Sequence, residues 1–369
     1  MSPAGPKGRP AFGPYGPPVG AGEQAKREDS VADFLFKKEA LPELFAALKE
    51  NEFRIVAPIK EKDLVLFAEV KQPEQITFDY INPVNSAKEF LFPPTEEVFG
   101  YRLRAQEVHL VERSVATPVA AKTAILGLRP CDAAAFPLLD KAFTWECEDT
   151  SYLTRRKNAL LLTFGCSEAD QFCFCTSLGL TPESDKGSDI IFTPLASGDF
   201  KVEAVGQRGQ ALFSKIKGVF EEGEAGETRV AEVPQRFDLS AIKAWLDENF
   251  EHPFWQEISL ACLGCGVCTY LSPTCHCFDM VDEANYSGGS RRKNWDACAF
   301  GNFTLQASGL NPRPTSGERW RQRLMHKFKY YPDKFDGILC TGCGRCVRHC
   351  PVQMGLLETL VKISDMSQT

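Results

Sequence analysis

Cys340-Thr341-Gly342-Cys343-Gly344-Arg345-Cys346-Val347-Arg348-His349-Cys350-Pro351 is a C-x2-C-x2-C-x3-C-P run, the spacing with which bacterial ferredoxins hold cubane iron-sulfur clusters. Three thiolates at this spacing wrap one face of a cubane, while Gly342 and Gly344 let the backbone approach the inorganic sulfides. Cys350 follows Cys346 by about one helical turn, and in two-cluster ferredoxins the cysteine at this place ligates the other cluster. The run therefore calls for a partner run, and Cys262-Leu-Gly-Cys265-Gly-Val-Cys268-Thr-Tyr-Leu-Ser272-Pro273 aligns with it without a gap.

On this pairing Cys262, Cys265, Cys268 and Cys350 hold one 4Fe-4S cluster. Cys340, Cys343 and Cys346 hold the second with one place open, because Ser272 stands where the repeat has cysteine. Cys275 is favoured to fill the place, with Cys277, Cys298 and the Ser272 hydroxyl, a hard ligand ill matched to iron, as the other candidates. Left open, the site becomes a 3Fe-4S cluster or takes an exogenous ligand. Zinc is the competing metal, since paired C-x2-C motifs make closed tetrahedral sites, but a third cysteine at the same spacing and the Cys-Pro terminus favour a cubane. His276 and His349 flank ligand cysteines and read as donors to the sites rather than ligands.

Outward from these runs, 369 residues with 43% apolar content suffice for two domains. A formal net charge of -7 excludes the basic excess of a nucleic-acid or anionic-membrane binder. No window approaches a membrane span and the N-terminal residues have no secretory apolar core, so the expected location is cytoplasmic. Fifteen cysteines in a reducing compartment then point to metal rather than to disulfides.

Residues 1–28, rich in Pro and Gly, read as a disordered tail. From Leu41, Leu44, Phe45 and Leu48 recur at helical spacing, with Ser30 and Asp33 read as a capping-box-like start. Strand-like runs follow at Arg54 to Ala57, Leu64 to Val70, Ile76 to Tyr80, Lys122 to Leu128 and Ala159 to Phe164, interleaved with helices, so residues 29–237 read as an α/β domain. The acidic, Gly-containing stretch Glu221 to Gln235 marks the boundary. Residues 238–369 read as a mainly α-helical ferredoxin-like domain, from helical spacing at Leu239 to Phe250, Trp255 to Ala261 and Arg319 to Phe328.

Five cysteines lie in the α/β part. Cys131, Cys166, Cys173 and Cys175 follow predicted strands, where chain ends converge, and could supply a third cluster; buried structural thiols are an equal reading, and the only one for Cys147. Arg319, Arg321, Arg323, Lys327 and Lys329 read first as a solvated helix face, with docking of an acidic partner or compensation of cluster charge as the alternatives. No G-x-G-x-x-G follows a strand and there is no P-loop, so flavin and nucleotide are expected on a partner.

Six motifs carry a family resemblance: Phe90-Leu-Phe-Pro-Pro-Thr-Glu96, Leu128-Arg-Pro-Cys-Asp132, Cys173-Phe-Cys-Thr-Ser-Leu-Gly179, Cys262 to Asp279, Trp295-Asp-Ala-Cys298, and Asn311-Pro-Arg-Pro-Thr315. From about residue 31 onward the chain resembles the iron-sulfur (beta) subunit of soluble nickel-iron sulfhydrogenases and the corresponding iron-sulfur subunit of anaerobic sulfite reductase. The resemblance implies a hetero-oligomeric electron-transfer subunit between a flavoprotein NAD(P)H-reactive subunit and a catalytic subunit of hydrogenase or sulfite reductase type. The family usually has cysteine where this chain has Ser272. Two readings of other classes stand beside it: a stand-alone reductase binding substrate at an open iron, and a zinc-bound structural adaptor.

Overall fold

The computed structural model describes residues 33–104, 107–111 and 120–367. The tail and Ser30 lie outside them. Asp33 does not cap a helix. It opens β1 (Asp33–Phe36), where its carboxylate meets Lys201 at 3.2 Å and accepts a hydrogen bond from the Ala225 amide. The helix α1 (Leu41–Glu50) starts instead with Pro42 in its first turn, where no amide hydrogen is needed, and buries Leu44, Phe45 and Leu48.

An eight-stranded sheet organises the N-terminal part. Its remaining strands are β2 (Arg54–Glu61), β3 (Leu64–Val70), and, after β4 (Thr95–Arg104) and β5 (Glu107–Val111), β6 (Thr123–Leu128), β7 (Ala159–Phe164), β8 (Ile190–Pro194), β9 (Phe200–Ala204) and β10 (Glu221–Gly223). The order is β10-β1-β9-β8-β7-β6-β2-β3, with β2, β6, β7 and β8 parallel and antiparallel strands at both margins. Every residue of β6 and β7 is buried, as a parallel strand covered on both faces requires. Alternate residues feed different cores: Leu160, Leu162 and Phe164 join Phe36, Phe192 and α1 on one face, while Ala159 and Leu161 join Val56, Ile125 and Phe136 on the other. The crossovers are α2 (Pro130–Ala133), α3 (Ala135–Thr144) and α4 (Thr150–Asn158), and α5 (Gly206–Ile216) follows β9.

Two expectations fail here. Ile76 to Tyr80 is not a strand; only Ile76 bridges to Ile59, and the segment runs as a loop that lays Phe78 against Phe164. The C-terminal part, read as mainly α-helical, also carries strand. It has α6 (Leu239–Glu248), α7 (Phe254–Ile258), α8 (Val267–Tyr270), α9 (Ser316–Met325), α10 (Tyr331–Lys334), α11 (Arg345–Arg348) and α12 (Leu356–Met366) around Trp255, Leu324 and Leu360, but between them stands a hairpin, β11 (Phe278–Asn285) and β12 (Gly288–Trp295). Strand β12 pairs with β4, giving a second sheet in the order β11-β12-β4-β5. The parts on either side of residues 237–238 thus share a sheet, and the chain from Asp33 onward forms one compact unit. The seam is pinned by buried charge: Glu96 on β4 takes Arg155 at 2.6 Å and Lys293 at 3.0 Å, and Lys293 also reaches Asp149 at 2.6 Å. Among the described residues no helix is long and apolar enough to cross a membrane.

Candidate metal centres

The two cysteine runs fold alike. In each, two glycines adopt left-handed backbone conformations, Gly264 and Gly266 at φ 64° and 77°, Gly342 and Gly344 at 66° and 75°. The second glycine of each pair then caps a single-turn helix, α8 or α11, that carries the third cysteine, Cys268 or Cys346. Side chains other than hydrogen are disfavoured at such φ values, so the glycines let the loops make these turns without strain. Helices α8 and α11 pack together, which brings the two runs side by side. Cys262, Cys265, Cys268 and Cys350 line one cavity, walled by Trp320 and Met354.

Around Cys340, Cys343 and Cys346 the surroundings are drier. The main chain of Gly342 lies against the α/β part, its carbonyl accepting the Phe174 amide at 3.0 Å, and Asn82 donates to the Cys343 carbonyl at 3.2 Å. Arg345, between two cysteines of the run, forms a fully buried bidentate pair with Asp132 at 2.7 and 2.9 Å and donates through Nε to the Pro83 carbonyl at 2.8 Å. Ser272 sits beside this run. The buried Lys327 ammonium donates to Ser272 Oγ at 3.4 Å, to Thr274 Oγ1 at 2.8 Å and to the carbonyl of Leu339, the neighbour of Cys340, at 2.8 Å. Burial pushes the Cys346 thiol up to about 12, with Arg323 opposing.

A further group forms at the base of the hairpin. Pairing of Phe278 with Trp295 brings Cys277 and Cys298 together, and they share a sulfur–sulfur hydrogen bond that lowers the Cys298 pKa and raises that of Cys277. Arg323 Nη1 lies 3.5 Å from Cys275 Sγ and 4.0 Å from Cys298 Sγ. Burial alone would raise the Cys275 thiol, but Lys327, Arg323 and Lys88 pull it down to about 7. Two residues of the basic run, Arg323 and Lys327, therefore point into the protein rather than forming a solvated face. The others do meet the surface, Arg321 pairing with Glu251 and Lys329 with Asp247 and Asp333.

Of the cysteines in the α/β part, Cys131 on α2, Cys166 after β7 and Cys175 converge on Cys343. Burial first, then Asp132, Cys343 and Cys166, raise the Cys131 thiol, and burial with Cys166 takes Cys175 up to about 11. Cys173 turns elsewhere: its Sγ lies 3.4 Å from Asp170 Oδ1 and 3.9 Å from Arg348 Nη2. Cys147 is exposed. His276 is buried with Nδ1 3.1 Å from the Thr274 carbonyl, and burial lowers it to about 4; His349 is also lowered by burial.

Sequence reasoning missed Lys88, whose ammonium donates to the Cys275 and Thr269 carbonyls, and the Asp132–Arg345 tie. Asp132 lies within one of the quoted motifs and Arg345 within the cysteine run, but neither position reveals its distant mate. The donor set suits iron-sulfur clusters. Among the described residues Arg323 Nε, Arg348 Nη1 and Thr341 Oγ1 are buried without a hydrogen-bond partner, and donors of this kind match cluster sulfides and thiolates, whose potential they tune.

Comparison with known proteins agrees. Residues 261–354 match the family model of a 4Fe-4S dicluster domain. Over 337 residues the chain is 29% identical to sulfhydrogenase 2 subunit beta of Pyrococcus furiosus, covering 89% of this chain and 97% of that one. No solved structure matches. The similarity to that beta subunit thus spans nearly both chains, and the dicluster region lies inside it.

Proposed function

We propose that the protein relays single electrons through two clusters, between a flavin-bearing NAD(P)H-reactive subunit and a catalytic subunit of hydrogenase or sulfite reductase type, in a cytoplasmic hetero-oligomer. Cys262, Cys265, Cys268 and Cys350 are the ligands of the first cluster. Cys340, Cys343 and Cys346 are those of the second, beside Ser272. The observation that carries the reading is the structural repeat itself. Two loops with paired left-handed glycines are packed helix to helix, with the crossing cysteine Cys350 in the same cavity as the first run.

Clusters held by these cysteines would supply one-electron carriers between the two partners, and the chain would undergo no net change over a cycle. The chain's own part is to fix the sites and their charge. Arg345 and Asp132 clamp the second run onto the α/β part, and Arg323 with Lys327 supplies positive charge near the thiolates. The test is anaerobic purification with iron, sulfide and zinc analysis and electron paramagnetic resonance before and after reduction. At least about seven to eight irons per chain, in clusters that a reduced flavoprotein partner reduces, are expected. Zinc with negligible iron would overturn the proposal. So would clusters that no partner flavin reduces.

A further inference from the structure

The three cysteines at the hairpin base line a cavity of about 360 Å3 together with Arg323, Lys327 and His326. Three cations surround the sulfurs: Lys88 and Lys327 are each 2% exposed and Arg323 3%. Among the described residues none of them pairs with a carboxylate. Lys88 bonds two carbonyls, Lys327 two hydroxyls and a carbonyl, and Arg323 a carbonyl, a hydroxyl and the sulfurs of Cys275 and Cys298. Buried positive charges without counter-charge are strongly unfavourable, so this wall calls for anions inside it. Among the described residues, Arg323 Nε, also buried, has no hydrogen-bond partner.

A single bound ion does not meet the need, because among the described residues no three His, Cys, Asp or Glu donors draw together tightly enough to hold one. An iron-sulfur cluster, with several irons to share the thiolates and a net negative charge, does. We infer that Cys275, Cys277 and Cys298 hold a third iron-sulfur cluster, separate from the two that the repeat supplies, with Lys88, Arg323 and Lys327 as its counter-charge. Cys275 then belongs to this site and does not complete the set beside Ser272. With three thiolates from the chain, one iron faces the cavity and takes its remaining ligand from there. The inference rests on the relay reading, since it needs a protein that is loaded with clusters.

The experiment uses anaerobically purified full-length protein. Each cysteine's rate of alkylation by iodoacetamide is read by peptide mass spectrometry, with clusters in place and again after oxidative removal of iron by a chelator. Protection of Cys275, Cys277 and Cys298 by about tenfold or more in the loaded state is expected, alongside Cys262 and Cys343. A Cys298→Ala variant is expected to lose about four irons per chain, with the signals of the other clusters retained. Equal labelling of Cys277 and Cys298 in both states, with Cys262 and Cys343 protected, would overturn the inference while sparing the relay. Protection of Cys275 alone would do the same, assigning it to the Ser272 site. If Cys262 and Cys343 are unprotected as well, the relay reading itself fails.

Discussion

Replacing Asp132 with Asn probes what joins the second cysteine run to the α/β part. Arg345 and Asp132 are 0% and 1% exposed, and the substitution leaves the guanidinium buried with a neutral amide and one backbone carbonyl. Removing one member of a fully buried pair costs about 3–5 kcal/mol, because the remaining charge is stranded in a medium of low polarity. For a chain of this length that corresponds to a fall of about 5 °C in melting temperature. Since Arg345 lies between Cys343 and Cys346, the loss should fall first on iron bound by that run. The assay is differential scanning calorimetry with iron content on the same anaerobic samples. A double variant, Asp132→Leu with Arg345→Met, serves as control and should recover most of the stability, because apolar side chains of similar volume strand no charge. An Asp132→Asn protein that melts within about 1 °C of the unmodified one and keeps all its iron would refute the reasoning, since a change that small is well under the cost of a stranded charge.

Three further outcomes follow from the geometry. A Cβ on residue 342 would meet the Cys175 amide nitrogen at 2.5 Å, whereas one on residue 264 meets only the Ala299 carbonyl oxygen at 3.3 Å. Gly264→Ala should therefore cost about 1–2 kcal/mol from backbone conformation alone and Gly342→Ala clearly more, as urea unfolding would show; equal costs would contradict the close approach. Burial opposes ionisation of Glu96, but Arg155 and Lys293 outweigh it and hold its pKa below the ordinary range. Its stabilising effect is then full above its unfolded pKa of about 4.3 and is lost as pH falls through the folded value, so Glu96→Gln should flatten the decline of the urea midpoint below about pH 4.5. An unchanged acid slope in that variant would exclude Glu96 as the source. Ser272→Cys places a thiol beside Cys340 and should complete a four-thiolate set with a changed paramagnetic spectrum; a spectrum like that of the unmodified protein would mean that another residue already fills the place.

Part of the candidate site was legible in the sequence because the spacing of cysteines within a run is local. Cys262, Cys265, Cys268 and Cys350 share a cavity as their register suggested. The strands Leu64–Val70 and Ala159–Phe164 were equally plain, each apolar but for one residue, Glu69 and Thr163. Ile76 to Tyr80 has the same composition, yet its apolar residues cover the sheet from a loop, and composition does not record whether backbone amides find a ladder. The hairpin escaped notice because β11 is exposed along nearly its whole length, so burial leaves no period of two. Its signature is charge: an acidic strand followed by a basic one, with Asp282 opposite Arg291 at 2.7 Å and Glu283 reaching Arg292 at 3.1 Å. Arg323 and Lys327 were misread for a related reason. A helix pattern gives their common face, not what that face meets.

The pairing of β12 with β4 over Gly288 to Asn294 bears on how electrons travel. Many redox proteins carry a cofactor on a tethered module that swings between donor and acceptor, and their turnover slows in viscous solvent. Here the cysteine-bearing part is stitched into the sheet of its neighbour, and the buried Glu96–Lys293–Asp149 junction closes the seam. Such a part cannot swing. The distance an electron would cross is built into the backbone, so its passage would be governed by tunnelling distance and driving force rather than by the swing of a module.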